Sequence, residues 1–113
     1  IIMATFSSHL LNSVNGSHAN NIEITIYQIK PNGEKKIFYN TKTDDEGRVL
    51  KEFDLDNEDC KAEYEMICKT GDYFLEKKVV SEITVKFKMV DTNKKYHIPI
   101  IISPNGYTIW WSD

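Results

Sequence analysis

At 113 residues the chain has the size of one domain, taken here as 1–113, and is long enough to bury a core of its own. Its 14 basic and 17 acidic residues leave a formal charge of −3 with no block of like sign, which speaks against nucleic acid as a partner. No apolar run approaches the ~20 residues needed to span a bilayer, so no membrane partner is expected either.

In chain order, Ile1-Ile2-Met3-Ala4 is the stub of a longer leader at most, too short to read. Short runs of period-two alternation then follow, broken by turn residues about every ten positions, which is the pattern of an all-β sandwich or barrel. The first run is 5–11. A polar loop, 14–21, contains Asn15-Gly16-Ser17, formally a glycosylation acceptor but first of all a turn signal. In the strand 22–29, Ile22, Ile24 and Ile26 share one face and Glu23, Thr25 and Tyr27 the other. Lys30-Pro31-Asn32-Gly33 turns the chain into 35–41, with Ile37 and Tyr39 expected on one side and Phe38 on the other. A turn at 43–47 leads into 48–53.

The acidic stretch 54–61 reads as loop, and 62–69 as a strand with Tyr64, Met66 and Cys68 facing one way. Cys60 and Cys68 are eight apart and read as two free thiols of a reducing compartment in preference to a disulfide. Residues 70–77 are expected to form a short helix, with Thr70 as N-cap, Asp72 near the positive end and Lys77 near the other. Alternation is cleanest over 82–90, where Ile83, Val85, Phe87 and Met89 point inward. After Asp91-Thr92-Asn93 come two last strands, joined by the turn Ser103-Pro104-Asn105-Gly106. Eight strands and one small helix result.

Parity places the polar residues. In the seventh strand Tyr96, Ile98, Ile100 and Ile102 share a face, and His97, Pro99, Ile101 and Ser103 the other. Both faces are apolar enough to be covered, yet one carries an imidazole. His9 shares a face with Ser7 and Leu11, and Thr108, Trp110 and Ser112 share one in the last strand. Were the first and last strands to flank the seventh, His9, His97 and Trp110 would line one groove. Taken singly, a histidine on a strand is ordinarily structural, and Arg48 after Gly47 is an ordinary solvated charge. His9, His18 and His97 lack zinc-ligand spacing, so no metal site is expected. No nucleophile elbow, phosphate loop or Cys-x-x-Cys occurs.

Together, however, Ser7-Ser8-His9-Leu10-Leu11-Asn12, Gly47-Arg48, Thr70-Gly71-Asp72-Tyr73-Phe74 and Tyr96-His97-Ile98-Pro99 through Ser103-Pro104-Asn105-Gly106-Tyr107 resemble the 5-hydroxyisourate hydrolases, the transthyretin-related enzymes of urate breakdown. The resemblance implies a two-sheet, eight-stranded transthyretin-like sandwich with a short helix between the fifth and sixth strands. It implies a homotetramer, a dimer of dimers, with the active sites in a channel between dimers. It also implies hydrolytic opening of the six-membered ring of 5-hydroxyisourate. By the same resemblance His9 and His97 activate water and shuttle its proton, and Arg48 stabilises the developing oxyanion. Thr108, Trp110 and Asp113 contact the substrate. Neither metal nor organic cofactor is required. The compartment implied is cytoplasm or peroxisome in preference to secretion, although the chain ends Trp-Ser-Asp and not in a peroxisomal tripeptide. The family's enzymes usually end Tyr-Arg-Gly-Ser, where this chain has Trp110-Trp111-Ser112-Asp113. That departure keeps open an alternative, a transthyretin-like carrier or altered relative that binds a small aromatic ligand without turning it over.

Overall fold

The computed structural model describes residues 3–74 and 79–112. Within them lie β1 (Ala4–Asn12), β2 (Glu23–Ile29), β3 (Lys35–Lys42), β4 (Arg48–Phe53), β5 (Glu63–Cys68), β6 (Ile83–Lys88), β7 (Lys95–Ser103) and β8 (Gly106–Ile109). Two four-stranded sheets result, in the orders β4-β1-β7-β8 and β3-β2-β5-β6. Every neighbouring pair is antiparallel except β1 and β7, which run parallel.

Alternation in the sequence becomes the core. Along β1, Ala4, Phe6, Ser8, Leu10 and Asn12 are buried while the residues between them are half-buried. Phe6 and Leu10 meet Ile98, Ile100 and Ile102 of β7 within a core completed by Ile24, Ile26, Tyr64, Met66 and Ile83 of the other sheet. Phe6 stacks on Phe87 across the sandwich with ring centroids 5.6 Å apart. Each such side chain contributes roughly 1.5–3 kcal/mol by leaving water, and isoleucine suits the pleated surface. The one hydroxyl in the middle of this stripe is satisfied, because Ser8 Oγ donates to the Ile98 carbonyl at 2.7 Å.

Two local readings of the sequence are corrected. Between Ile26 and Tyr27 the register of β2 against β3 shifts, so Ile26 faces Tyr39 and Tyr27 faces Ile37, with Phe38 as the extra residue. Phe38 and Tyr39 therefore both pack on Phe53, at 4.8 and 5.7 Å between ring centroids, and Ile37 is left exposed. The acidic stretch 54–61 is also not all loop, since it holds α1 (Asn57–Lys61) between β4 and β5. A capping box starts that turn: Asp59 N–H donates to Asp56 Oδ1 at 2.8 Å, and Asp56 N–H donates to Asp59 Oδ2 at 3.1 Å. Tyr64 ties it to the core, donating its hydroxyl to the Asp59 carbonyl at 2.7 Å, and burial pushes that phenol up to about 12.

Of the helix expected over 70–77, residues 71–73 form a turn, with Tyr73 N–H donating to the Thr70 carbonyl at 3.1 Å. Residues 75–78 lie outside the described residues. Asn15-Gly16 is a turn, with Gly16 at φ 75° and its N–H donated to the Asn12 carbonyl. Both cysteines are free, and burial pushes the Cys68 thiol up to about 12, which removes it from thiolate chemistry at neutral pH. No helix among the described residues is long and apolar enough to cross a membrane.

Candidate active site

Because β1 and β8 both flank β7, the strands bearing His9, His97 and the route to Trp110 are neighbours. After β8 the tail keeps the same register against β7. Trp110 N–H donates to the Pro99 carbonyl at 3.4 Å, and Ser112 and His97 exchange two bonds of 2.8 and 3.2 Å. Proline has no N–H to return, so the Pro99 rung is single. Cross-strand partners share a face, which orders the outer side of this sheet into rows. One row runs Arg48, His9, Pro99, Trp110, and the next Leu50, Ser7, His97, Ser112. A third brings Leu11, Ile101 and Thr108 together.

Register also decides which side chains come closest. Leu10 N–H donates to the Gly47 carbonyl at 2.8 Å, so the adjacent pair His9/Arg48 is the non-hydrogen-bonded kind. In such a pair the Cα atoms are only ~4.5 Å apart and the side chains lean together. The turn before β4 holds Arg48 in place. Asp44 Oδ1 accepts from the backbone N–H of Glu46 and of Arg48, each at 2.9 Å, and the Arg48 N–H is the main reason that carboxyl sits below its ordinary range. Gly47, at φ 71°, is required there: a Cβ would stand 2.5 Å from the Leu10 carbonyl oxygen and 3.0 Å from the Ala19 nitrogen.

The two imidazoles differ. Burial, and after it the Arg48 guanidinium, hold His9 below the ordinary 6.5, against the opposing pull of the Glu46 backbone carbonyl. His18 and His97 add smaller repulsions in the same direction as Arg48. His9 is therefore neutral at pH 7. His97 is engaged at Nδ1 by Ser7 Oγ at 2.7 Å, a bond across the parallel β1–β7 pair that leaves Nε2 for an incoming molecule.

Of the residues singled out in the sequence, His9, Arg48 and His97 come together on one face. Trp110, 44% exposed, continues the His9 row with Pro99 between them. Thr108 lies in the adjoining row, and Asp113 is outside the described residues. Ser7 was seen only as a face-mate of His9. His18, which the sequence offers only as a zinc-ligand candidate without the right spacing, lies in a polar loop that gives no register to align it; its Nδ1 is 3.0 Å from His9 Nε2. An apolar cavity of about 430 Å³ opens beside Phe87, Ile98, Trp110 and Trp111 at the β6–β8 side; it shares Trp110 with the row of His9 but is lined by none of His9, Arg48 and His97.

This sheet order, with an ionisable cluster on the outer face of β4-β1-β7-β8, defines a transthyretin-like sandwich. The HIUase/Transthyretin family model matches residues 6–111, and the chain belongs to that family. It is 35% identical over 108 residues to the 5-hydroxyisourate hydrolase of Salmonella typhimurium, covering 92% of this chain and 77% of that one. The structure of Klebsiella pneumoniae 5-hydroxyisourate hydrolase superimposes with a TM-score of 0.76 at 22% identity, covering 96% of this chain and 99% of that one. Transthyretin from Sparus aurata gives 0.79 at 18%, covering 95% of each. Backbone shape is thus common to proteins of both names, and only side chains can separate them.

Proposed function

We propose that this chain is a 5-hydroxyisourate hydrolase acting in urate catabolism, and that His9, Arg48 and His97 carry the reaction. The observation that supports it most is the pairing of a neutral imidazole with an arginine at the closest kind of cross-strand position, with a second imidazole in the next row. A carrier of an apolar aromatic ligand needs no such group. Solvated cations and imidazoles around a binding channel would only add desolvation cost.

The oxygen of water bonds to a ring carbonyl carbon, the carbon–nitrogen bond breaks, and a proton goes to the leaving nitrogen. The new carboxylic acid then ionises at neutral pH. His9 and His97 are the groups that take and return protons, and a neutral imidazole is the required form of the base. The guanidinium of Arg48 is the group assigned to the charge that develops on the carbonyl oxygen. The Trp110 indole offers a flat wall for the planar ring, and Thr108 and Asp113 complete the substrate contacts. Four copies, paired as a dimer of dimers, would enclose this face in a channel. The test is direct: protein is mixed with freshly generated 5-hydroxyisourate and its absorbance decay followed. His97→Ala is expected to lower kcat by ~10²–10⁴-fold. Binding of the compound without accelerated decay would assign the chain to the carriers.

A further inference from the structure

His18 belongs to no strand, yet it is fixed over the candidate site. The loop 13–19 folds back along the end of β1: Asn12 N–H donates to the Ser17 carbonyl at 2.8 Å and Ala19 N–H to the Leu10 carbonyl at 2.9 Å. That leaves His18 bridged to Leu11, two residues from His9 along β1 and on the same face. Its ring lies against that of His9 with centroids 5.1 Å apart and planes 27° from parallel, and Nδ1 to Nε2 is 3.0 Å. His9 is half-buried and His18 exposed. Nothing in the fold demands an imidazole here, since the loop is held by backbone bonds and by Thr43, whose Oγ1 donates to the Ala19 carbonyl at 2.8 Å and accepts from Ile22 N–H at 2.9 Å.

We propose that His18 is a positioning residue for the hydrolysis, the outer half of a two-imidazole relay that fixes the ring and proton of His9 and passes that proton to solvent. This rests on the hydrolase reading above. Ring opening of an acyl C–N bond yields a carboxylate, so each turnover leaves one proton to be discharged. His9 faces a site that assembly would close, whereas His18 reaches water. A proton taken up at the other ring nitrogen of His9 makes it an imidazolium; its Nε2 proton passes to His18 Nδ1, and the proton on His18 Nε2 departs to water. Both rings end neutral with their tautomers exchanged, and return of a proton along the same path to the leaving nitrogen, or exchange with water, resets them. At this distance a proton on one ring repels a proton on the other, and His18 is one of the groups that hold His9 below its ordinary value. The charged groups that also bear on His9 are Arg48 from β4, His97 from β7 and Asp44 from the preceding turn; the Glu46 carbonyl is the acceptor beside it.

The experiment compares the full-length parent with His18→Gln, which keeps a hydrogen-bonding side chain, and His18→Phe, which keeps only the stacked ring. Loss of one relay bond predicts a kcat two- to tenfold lower in His18→Phe, roughly the rate equivalent of one net hydrogen bond, with KM little changed. In both variants kcat should then climb with the concentration of a small imidazole buffer, a dependence the parent lacks. A merely structural residue would not create that dependence. In parallel, the imidazole resonances of His9 and His18 are followed against pH. In His18→Gln the His9 curve should move to higher pH, because one of the repulsions that lower it is gone. A His9 curve that superimposes on the parent's, or a kcat indifferent to buffer in both variants, overturns the proposal. An inactive parent would instead sink the hydrolase reading, while the resonances still decide whether the two rings are coupled.

Discussion

His9 and His97 sit in adjacent rows of one sheet face but are prepared differently. His9 is kept neutral by burial and by Arg48, so its basic form should persist below the ordinary imidazole range, and the acid limb of kcat/KM is expected below pH 6.5. The sign follows from the protonated form: activity is present above the lowered pKa and lost as pH falls through it. Arg48→Gln removes a cation from beside the ring and so raises its proton affinity. Its acid limb should therefore move to higher pH while kcat drops by about 10²–10³-fold from the lost oxyanion partner. Initial rates across the range where imidazole titrates would check both, and a limb that stays in place would show that His9 is not the titrating base. Trp110→Ala should raise KM more than it lowers kcat, because a flat wall binds substrate and transition state alike.

At the scale of elements, the site depends on how tightly the turn before β4 is seated against β1 and the loop 13–19. Gly47→Ala puts a Cβ 2.5 Å from the Leu10 carbonyl oxygen at a φ of 71°, and backbone on both sides prevents relief. A loss of about 1–3 kcal/mol in denaturant unfolding is expected, with kcat falling as Arg48 and His18 are displaced together. An unchanged midpoint would mean that the turn yields more easily than the contacts suggest. The same elements show what sequence could carry. Period-two alternation and Asn-Gly turns made the strands legible, and parity alone put His9, His97 and Trp110 on their faces. Adjacency was another matter. The parallel pairing of β1 with β7 joins residues 90 apart, as Ser7 and His97 are, and no local signal encodes it; the resemblance to a known family supplied it. The bulge at Phe38 was hidden because Ile37, Phe38 and Tyr39 all suit a core, so parity could not say which was extra. A five-residue helix at α1 is too short for any apolar period to mark.

Across the whole molecule, one sheet face combines a charged centre with apolar surroundings that a lone chain leaves open. Leu50 is 70% exposed in the row of Ser7 and His97, and Trp110 flanks the row of His9. Closing this face with another copy would exclude water and lower the local dielectric, which strengthens the action of Arg48 on developing charge. Assembly and catalysis should therefore fail together. Leu50→Asn introduces a polar side chain where a facing copy would desolvate it, and adds no charge beside Arg48 and His97. Sedimentation should find the parent as four chains and the variant as a smaller species. Its kcat per chain should fall at least ~10-fold, the equivalent of ~1.4 kcal/mol of transition-state stabilisation. The fold should survive, because Leu50 contributes nothing to the buried core. A smaller species that hydrolyses at the parent's rate would show instead that the open face of a single sandwich suffices, with the chemistry independent of any channel.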